Sequence, residues 1–421
     1  MQTSSVRALI IHSDIMIIEP YSLLSQNDKI RADANPELLF KIKFQIGYQQ
    51  LKKFALENDI LFDTLQRWLN KANGVPLNLL LKLCKKVNIS NDECFKNINY
   101  VYVGTKNSRM NFPLKLEINS ELFFEGLGLY IGEGVLTEKT NEIALSNTSA
   151  QVLQFFLKWL YNCFTIKKKD LNIYIYVPLN NFNKLKVIEK WSNLLNVKEG
   201  LIRNVYYHKK SKEEYALIVC NKAVLRYLLN ELVRNFLHFT LSNTNLSVAF
   251  LRGILAAEGS VYLNPKKNVH HVEIGMKDDE IIGLVGNILN KLGVDYSNKE
   301  HDGVFHIIIC RKENIQKLIE LGGFGSHEKR NILLEKAYDL FKQSQTRRGG
   351  ALSFYLEKIS QNPNVTSREL VKVTNKSLTQ IHRILKKLTD KRLVYRKIKT
   401  NNTYVYNISE EGIKVIGGDK T

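Results

Sequence analysis

The spacing of apolar residues sets the elements. From about Glu37 to Ile89 the spacing is helical. Leu51, Phe54 and Ala55 make one apolar face and Leu65, Trp68 and Leu69 another, with a break of helix-turn-helix length at Asn58–Phe62. Gly74 and Pro76 punctuate before a third helix, Leu77–Lys86. A linker runs through Asn107–Pro113, and then the pattern changes. EIALSN, LNIYIYV, LIRNVYYH and EYALIV are rich in β-branched and aromatic residues and predict strands, whereas QVLQFFLKWLYNCF and NKLKVIEKWSNLLN predict amphipathic helices. The order repeats more compactly after Glu258. Strands fall at SVYL, HHVEIGM, DYSNK and VFHIIIC, and helices at EIIGLVGNILNKLG, ENIQKLIELG and EKRNILLEKAYDLF. The last segment predicts a helix SRELVKVT capped by Ser367, then KSLTQIHRILKKLTD with Ile381, Ile384, Leu385 and Leu388 on one buried face. A β-hairpin turning at Asn401–Asn402 follows, which completes the element order of a winged helix.

These elements predict an α+β protein in three parts. Residues 1–110 form a helical, helix-turn-helix region. Residues 111–345 form a core of two repeats, about 121–245 and 246–345. Residues 350–421 form a winged helix. A hydrophobic content of 44% over 421 residues supports real cores and excludes global disorder. A formal charge of +20 points to a nucleic-acid partner, and the charge is uneven. Residues 351–421 hold 14 Lys and Arg against 6 Asp and Glu, and residues 1–112 hold 15 against 10. The DNA-binding candidates are therefore Gln66 and Arg67 on the second N-terminal helix, with Gln380, Arg383, Lys386 and Lys387 on the polar face of the last long helix. Arg396, Lys397 and Lys399 in the hairpin, and Lys209, Lys210 and Lys277 in the core, join them. Tyr206, Tyr207 and His208 lie beside Lys209 and could touch phosphate, whereas His270–His271 reads as strand surface.

The five cysteines are scattered, without a CxxC pair, so neither a zinc site nor a disulfide framework is expected. The chain shows no signal-peptide plan and no apolar run long enough to span a bilayer. The expected location is the cytoplasm, at the nucleoid, with no membrane partner.

Chemistry enters with an internal repeat. FLRGILAAEGSV at Phe250 aligns with GLGLYIGEGV at Gly126. Gly128 then matches Gly253, Gly132 matches Ala257, Glu133 matches Glu258 and Gly134 matches Gly259. The two glutamates lie 125 residues apart, room for one αββαββα repeat with an insertion. Residues four apart share a helix face, so each helix carries a stripe of small residues that lets a second backbone come close. Gly134 and Gly259 suit a left-handed helix stop. Each glutamate then sits at the negative end of a helix dipole, a position that disfavours an anion by ~0.3–1 kcal/mol. Two such ends together call for a cation, and Mg²⁺ suits carboxylate oxygens and phosphates.

The two stretches resemble the motifs of the LAGLIDADG homing endonuclease family, over roughly Phe112 to Phe341. The resemblance implies two saddle-shaped sheets that straddle double-stranded DNA and read its major groove. Glu133 and Glu258 would hold the catalytic divalent metal, with the backbone carbonyls of Gly132 and Ala257 beside it. A basic residue would polarise water: by position it is Lys329, with Lys139 and Lys299 as rivals. Both acids are Glu where the family more often has Asp. The implied protein is a Mg²⁺-dependent, site-specific double-strand DNA endonuclease. It would be a monomer that is an internal pseudo-dimer, with no obligate protein partner. The alternative is a transcriptional regulator on a non-cleaving LAGLIDADG core, which helix-turn-helix modules at both ends would suit. An RNA-splicing maturase is a third possibility for the family.

Overall fold

The first element among the described residues is a strand, in a region expected to be helical. In the computed structural model residues 9–12, 14–70, 74–104, 108–134, 142–179, 182–265, 269–342, 351–374, 376–400 and 403–418 are described. β1 (Leu9–His12) and β2 (Ile15–Ile18) form an antiparallel hairpin, and α1 (Pro20–Leu24) follows. β3 (Arg31–Ala34) then leads into α2 (Pro36–Ile46), α3 (Tyr48–Glu57) and α4 (Phe62–Leu69). The short β4 (Val75–Pro76), α5 (Leu77–Lys86), α6 (Asn91–Lys96), β5 (Ile98–Tyr102) and β6 (Leu116–Asn119) complete the region.

Local chemistry fixes these ends. The Asn35 side chain accepts the Glu37 amide while Pro36 occupies the first turn of α2, and Gly47 stops that helix at φ +74°. Leu51, Phe54, Ala55, Leu65 and Leu69 are buried, as expected. Trp68 is only half-buried, with the Arg31 guanidinium 5.6 Å from its ring centroid. The strands were not anticipated in this region. β3 lies between β4 and β5, and β2 lies between β1 and β6. Because β6 pairs with β2, that sheet crosses the boundary placed at residue 110.

Two helix-and-sheet repeats follow, and the fold class is α+β. The first comprises α7 (Ser120–Glu133), β7 (Ile143–Asn147), α8 (Ala150–Phe164), β8 (Leu171–Val177), α9 (Lys184–Leu195), β9 (Ile202–Tyr207), β10 (Tyr215–Cys220) and α10 (Ala223–Phe236). The second comprises α11 (Thr244–Glu258), β11 (Gly259–Asn264), β12 (Val269–Met276), α12 (Asp279–Lys291), β13 (Ser297–His301), β14 (Val304–Ile309), α13 (Lys312–Glu320) and α14 (Glu328–Lys342).

The strand orders are β7-β10-β8-β9 and β11-β12-β14-β13. Superposing these orders locates the insertion. β7, β10 and β8 take the places of β12, β14 and β13. In the second repeat β13 and β14 are joined by the two-residue turn Asp302–Gly303, both at positive φ. In the first repeat the same connection holds α9 and β9, and β9 pairs with β8 in parallel.

The chain divides into two compact units, Met1–Leu263 with His271–Ala337 and Asn264–His270 with Tyr338–Thr421. The second unit carries α15 (Ala351–Gln361), β15 (Val365–Thr366), α16 (Ser367–Thr374), α17 (Leu378–Asp390), β16 (Val394–Thr400), β17 (Thr403–Ile408) and α18 (Glu410–Gly418). Its core holds Leu356, Ile359, Leu370, Ile381, Leu385 and Leu388, with Ile384 partly buried against it. The cap of α16 is Thr366, not Ser367. Its hydroxyl accepts the Glu369 amide at 3.3 Å, while the Glu369 carboxylate accepts the Thr366 amide at 2.7 Å. The hairpin turn expected at Asn401–Asn402 lies outside the described residues.

Candidate functional site

The site is built by α7 and α11, which pack backbone to backbone. A Cβ on Gly128 would overlap the Phe250 carbonyl oxygen, one on Gly253 the Glu125 carbonyl oxygen, and one on Gly132 the Ala257 Cβ. The stripes of small residues are thus in mutual contact. Away from the site, Arg252 of α11 pairs with Glu125 of α7 at 2.7 Å, which holds the helices in register.

Both helices end on their glutamates, but the glycines that follow are not left-handed. Gly134 and Gly259 have φ of −71° and −76° and extended ψ. Gly259 opens β11 directly, and Gly134 bridges to Leu145. Space requires glycine there: a Cβ on Gly259 would lie 2.6 Å from the Leu255 carbonyl oxygen, and one on Gly134 would overlap the Tyr130 carbonyl.

Glu133 and Glu258 come together at the base of the pair, both half-buried. Burial raises the Glu133 carboxyl to about 7, and the charge of Glu258 adds to the rise. Burial raises Glu258 as well. Arg330 works against both shifts. It stands in the first turn of α14, and its Nη1 donates to the carbonyls of Leu255, Ala256 and Ala257 at 3.2, 2.7 and 2.9 Å. A guanidinium therefore caps the negative end of α11, where a cation is favoured. Nearby, Asn147 Nδ2 donates to Glu133 Oε1 at 3.3 Å. His327 is pushed down to about 4 by burial and by the charge of Arg330, so its ring is neutral at neutral pH. Its Nδ1 is buried and has no hydrogen-bond partner among the described residues. A groove of about 330 Å³, lined by Glu133, Ser146, Asn147, Tyr215, His327 and Arg330, opens here.

The donor set can be tested against a divalent cation. The two carboxylates suit one. The Ala257 carbonyl, expected beside the metal, already accepts from Arg330. Any ion held between the two carboxylates would share the Ala257 oxygen, through its second lone pair, with the Arg330 guanidinium.

The comparisons with known proteins bear on this core. The family model described as a LAGLIDADG-like domain matches residues 245–323, which take in Glu258 and the second sheet. Residues 245–323 are a LAGLIDADG-like domain. An uncharacterized protein of Methanocaldococcus jannaschii is 24% identical over 189 residues, which is 44% of this chain and 66% of that protein, just under two thirds of its length. Among solved structures, I-DmoI in complex with DNA and Mn is 20% identical, covering 49% of this chain and 98% of that one at a TM-score of 0.31. Full-length DUF199/WhiA from Thermotoga maritima is 16% identical, covering 65% of this chain and 91% of that one at a TM-score of 0.33.

The remaining sequence-derived residues are dispersed over the N-terminal region, the two repeats and the C-terminal unit. Lys329, expected beside the acids, is exposed, and its neighbour Arg330 takes the inward position. Successive residues on a helix point about 100° apart, so one position decides which faces in. Lys299 is exposed on β13 opposite His306, and Lys139 lies outside the described residues. Lys209, Lys210 and Lys277 are exposed in turns at the ends of strands. Arg67 is exposed and bonded to Thr64, and Gln66 is half-buried. Gln380, Arg383, Lys386 and Lys387 share the exposed side of α17, and Arg396, Lys397 and Lys399 are exposed on β16. His270, expected on the strand surface, is buried, its ring meeting Phe341 edge-on at 5.3 Å. Alternation along β12 turns it inward while His271 faces out. Sequence reasoning missed Arg330 and His327. The only signal for them was a cluster of basic residues after the last strand.

Proposed function

We propose that this protein binds specific double-stranded DNA and does not cut it, acting as a regulator on a LAGLIDADG core. One observation supports the reading: Arg330, whose charge acts on both acids, donates to the Ala257 carbonyl, so a cation stands beside the position that the family resemblance gives to a metal. The guanidinium offsets part of the charge of the two acids, and burial favours a proton on Glu133 over a second negative charge. The basic faces of α17 and β16 would track phosphate, and the repeat sheets would meet base edges. Metal-dependent cleavage is the second reading. It is favoured by the pairing of two acids at the helix ends: burial first, and then the charge of Glu258, raise the Glu133 carboxyl against the opposing effect of Arg330.

The test uses the full chain and DNA flanking its own gene, with Mg²⁺ or with EDTA. The expected result is tight, salt-sensitive binding with intact DNA in both. The Tm of the wild type should not respond to Mg²⁺, whereas that of Arg330→Ala should rise with it. Mg²⁺-dependent double-strand breaks that vanish in Glu258→Gln would overturn the proposal and establish the second reading.

A further inference from the structure

α2 carries two apolar faces, and only one of them is covered. Leu38, Leu39 and Ile42 turn inward and are buried. Phe40 and Phe44, one turn apart, stand on the other side of the helix at 69% and 78% exposure. Their rings lie side by side, with centroids 6.1 Å apart and planes 15° from parallel. A surface helix ordinarily carries polar residues at such positions.

The two rings line a groove of about 590 Å³, and Pro36, Lys43, Leu69 and Asn70 complete its lining among the described residues. Leu69 and Asn70 come from the end of α4. The DNA-binding candidate Arg67 is two residues from Leu69, about 200° around that helix, so it points away from the groove.

Among the described lining residues Lys43 alone is charged. Its Nζ donates to Asn70 Oδ1 at 2.9 Å, and no carboxylate pairs with it among the described residues. The neighbouring Lys41 is already paired, with Glu93 at 3.0 Å. Glu37 stands in the first turn of α2, at the far end from Lys43 in the last.

Whatever covers the two rings also takes Lys43 out of water, and a buried ammonium without a counter-charge is costly. The occupant must therefore bring an apolar face and a carboxylate together. A second copy of this chain brings the opposite, because a two-fold pair sets the same groove against itself and Lys43 against Lys43. A DNA duplex brings phosphates but holds its flat base faces inside the stack. We propose that this groove docks an amphipathic helix of an acidic partner protein. Its apolar residues, one turn apart, seat against Phe40, Phe44 and Leu69, and a Glu or Asp pairs with Lys43. The inference goes beyond the proposed function and does not depend on it.

Fluorescence anisotropy with the full chain tests it. The first probe is a labelled helical peptide of about four turns, with Leu and Phe on one face and Glu along the flanks. The second carries Lys on the flanks, and the third has Ala in place of Leu and Phe. Wild-type protein should bind the first and neither of the others. Phe44→Ala should bind it about 10-fold more weakly, the size of one lost anchor. Its Tm should match wild type, because Phe44 is exposed. Lys43→Glu should lose the Glu peptide and gain the Lys peptide, a reversal that general attraction to a chain of charge +20 does not produce. Duplex binding by Phe44→Ala should equal that of wild type, so this inference and the proposed function stand or fall separately.

No binding of the Glu peptide by wild type overturns the proposal. So does binding of the Ala peptide as tight as that of the Glu peptide, or binding that Phe44→Ala leaves intact. A dimer in sedimentation that Phe44→Ala dissolves overturns it in favour of a second copy. Phe44-dependent binding of vesicles rich in anionic lipid, or of duplex DNA, overturns it in favour of those occupants.

Discussion

Replacing Glu133 with Gln should stabilise the protein at alkaline pH and leave it unchanged in acid. Folding raises the Glu133 pKa from 4.5 to about 7, chiefly through burial and then through the charge of Glu258. The folded state holds this proton more tightly than the unfolded state. The stability it contributes is fully present below pH 4.5 and is lost as pH rises through 7. At about 1.4 kcal/mol per unit the full gap corresponds to about 3 kcal/mol, and solvent reaching the half-buried acid reduces it toward about 2. Gln cannot ionise, yet its side-chain oxygen can still accept from Asn147. Urea denaturation at several values between pH 5 and 8.5, followed by tryptophan fluorescence, would measure the difference, since Trp159 is buried and donates its indole N–H to the Phe123 carbonyl of α7. The two proteins should lie closest at pH 5, and the variant should gain about 2 kcal/mol more between there and pH 8. A difference that does not change with pH would refute the reasoning.

Other expectations follow from the same geometry. Gly253→Ala should cost about 3 kcal/mol or more in urea denaturation, because the new methyl meets the Glu125 backbone oxygen and nothing there can rotate away. Arg252→Ala should cost about 2–4 kcal/mol by leaving the Glu125 carboxylate mostly buried and unpaired, and the loss should be smaller at low pH, where burial has already raised that carboxyl toward protonation. Thr366→Ala should destabilise the C-terminal unit by about 1 kcal/mol in a thermal melt, by removing the α16 cap. If α17 contacts DNA phosphate, Arg383→Ala with Lys387→Ala should lower the slope of log affinity against log salt by about 2 and weaken all sequences alike.

The sequence disclosed most where side-chain size alone carried the information. Gly128, Gly132, Gly253 and Ala257 at four-residue spacing announced a close helix pair, and the duplication announced two repeats. It disclosed less where one residue of register decides the outcome. Arg330 and Lys329 are both basic, and only the phase of α14 turns the first toward Glu133. The backbone of Gly134 and Gly259 was also misread, because a glycine after a helix signals equally a left-handed stop and a crowded, extended exit. β3 reads Arg-Ala-Asp-Ala and has no strand-forming residues. It exists because β4 and β5 pair with it on either side. The parallel pairing of β9 with β8 needs a crossover helix, which residue pattern alone cannot distinguish from an ordinary surface helix.

The glycines of the helix pair also differ in what genetics can do with them. Gly128 and Gly253 each face a main-chain oxygen of the opposite helix, and a main chain has no sequence to change. A larger residue at either place has no partner whose substitution restores the fit, so a hunt for intragenic suppressors should return only true revertants or distant stabilising changes. Gly132 faces the methyl of Ala257. There a second mutation, Ala257→Gly, makes the missing room, and the pair can exchange its small and smaller members between the two halves of the chain.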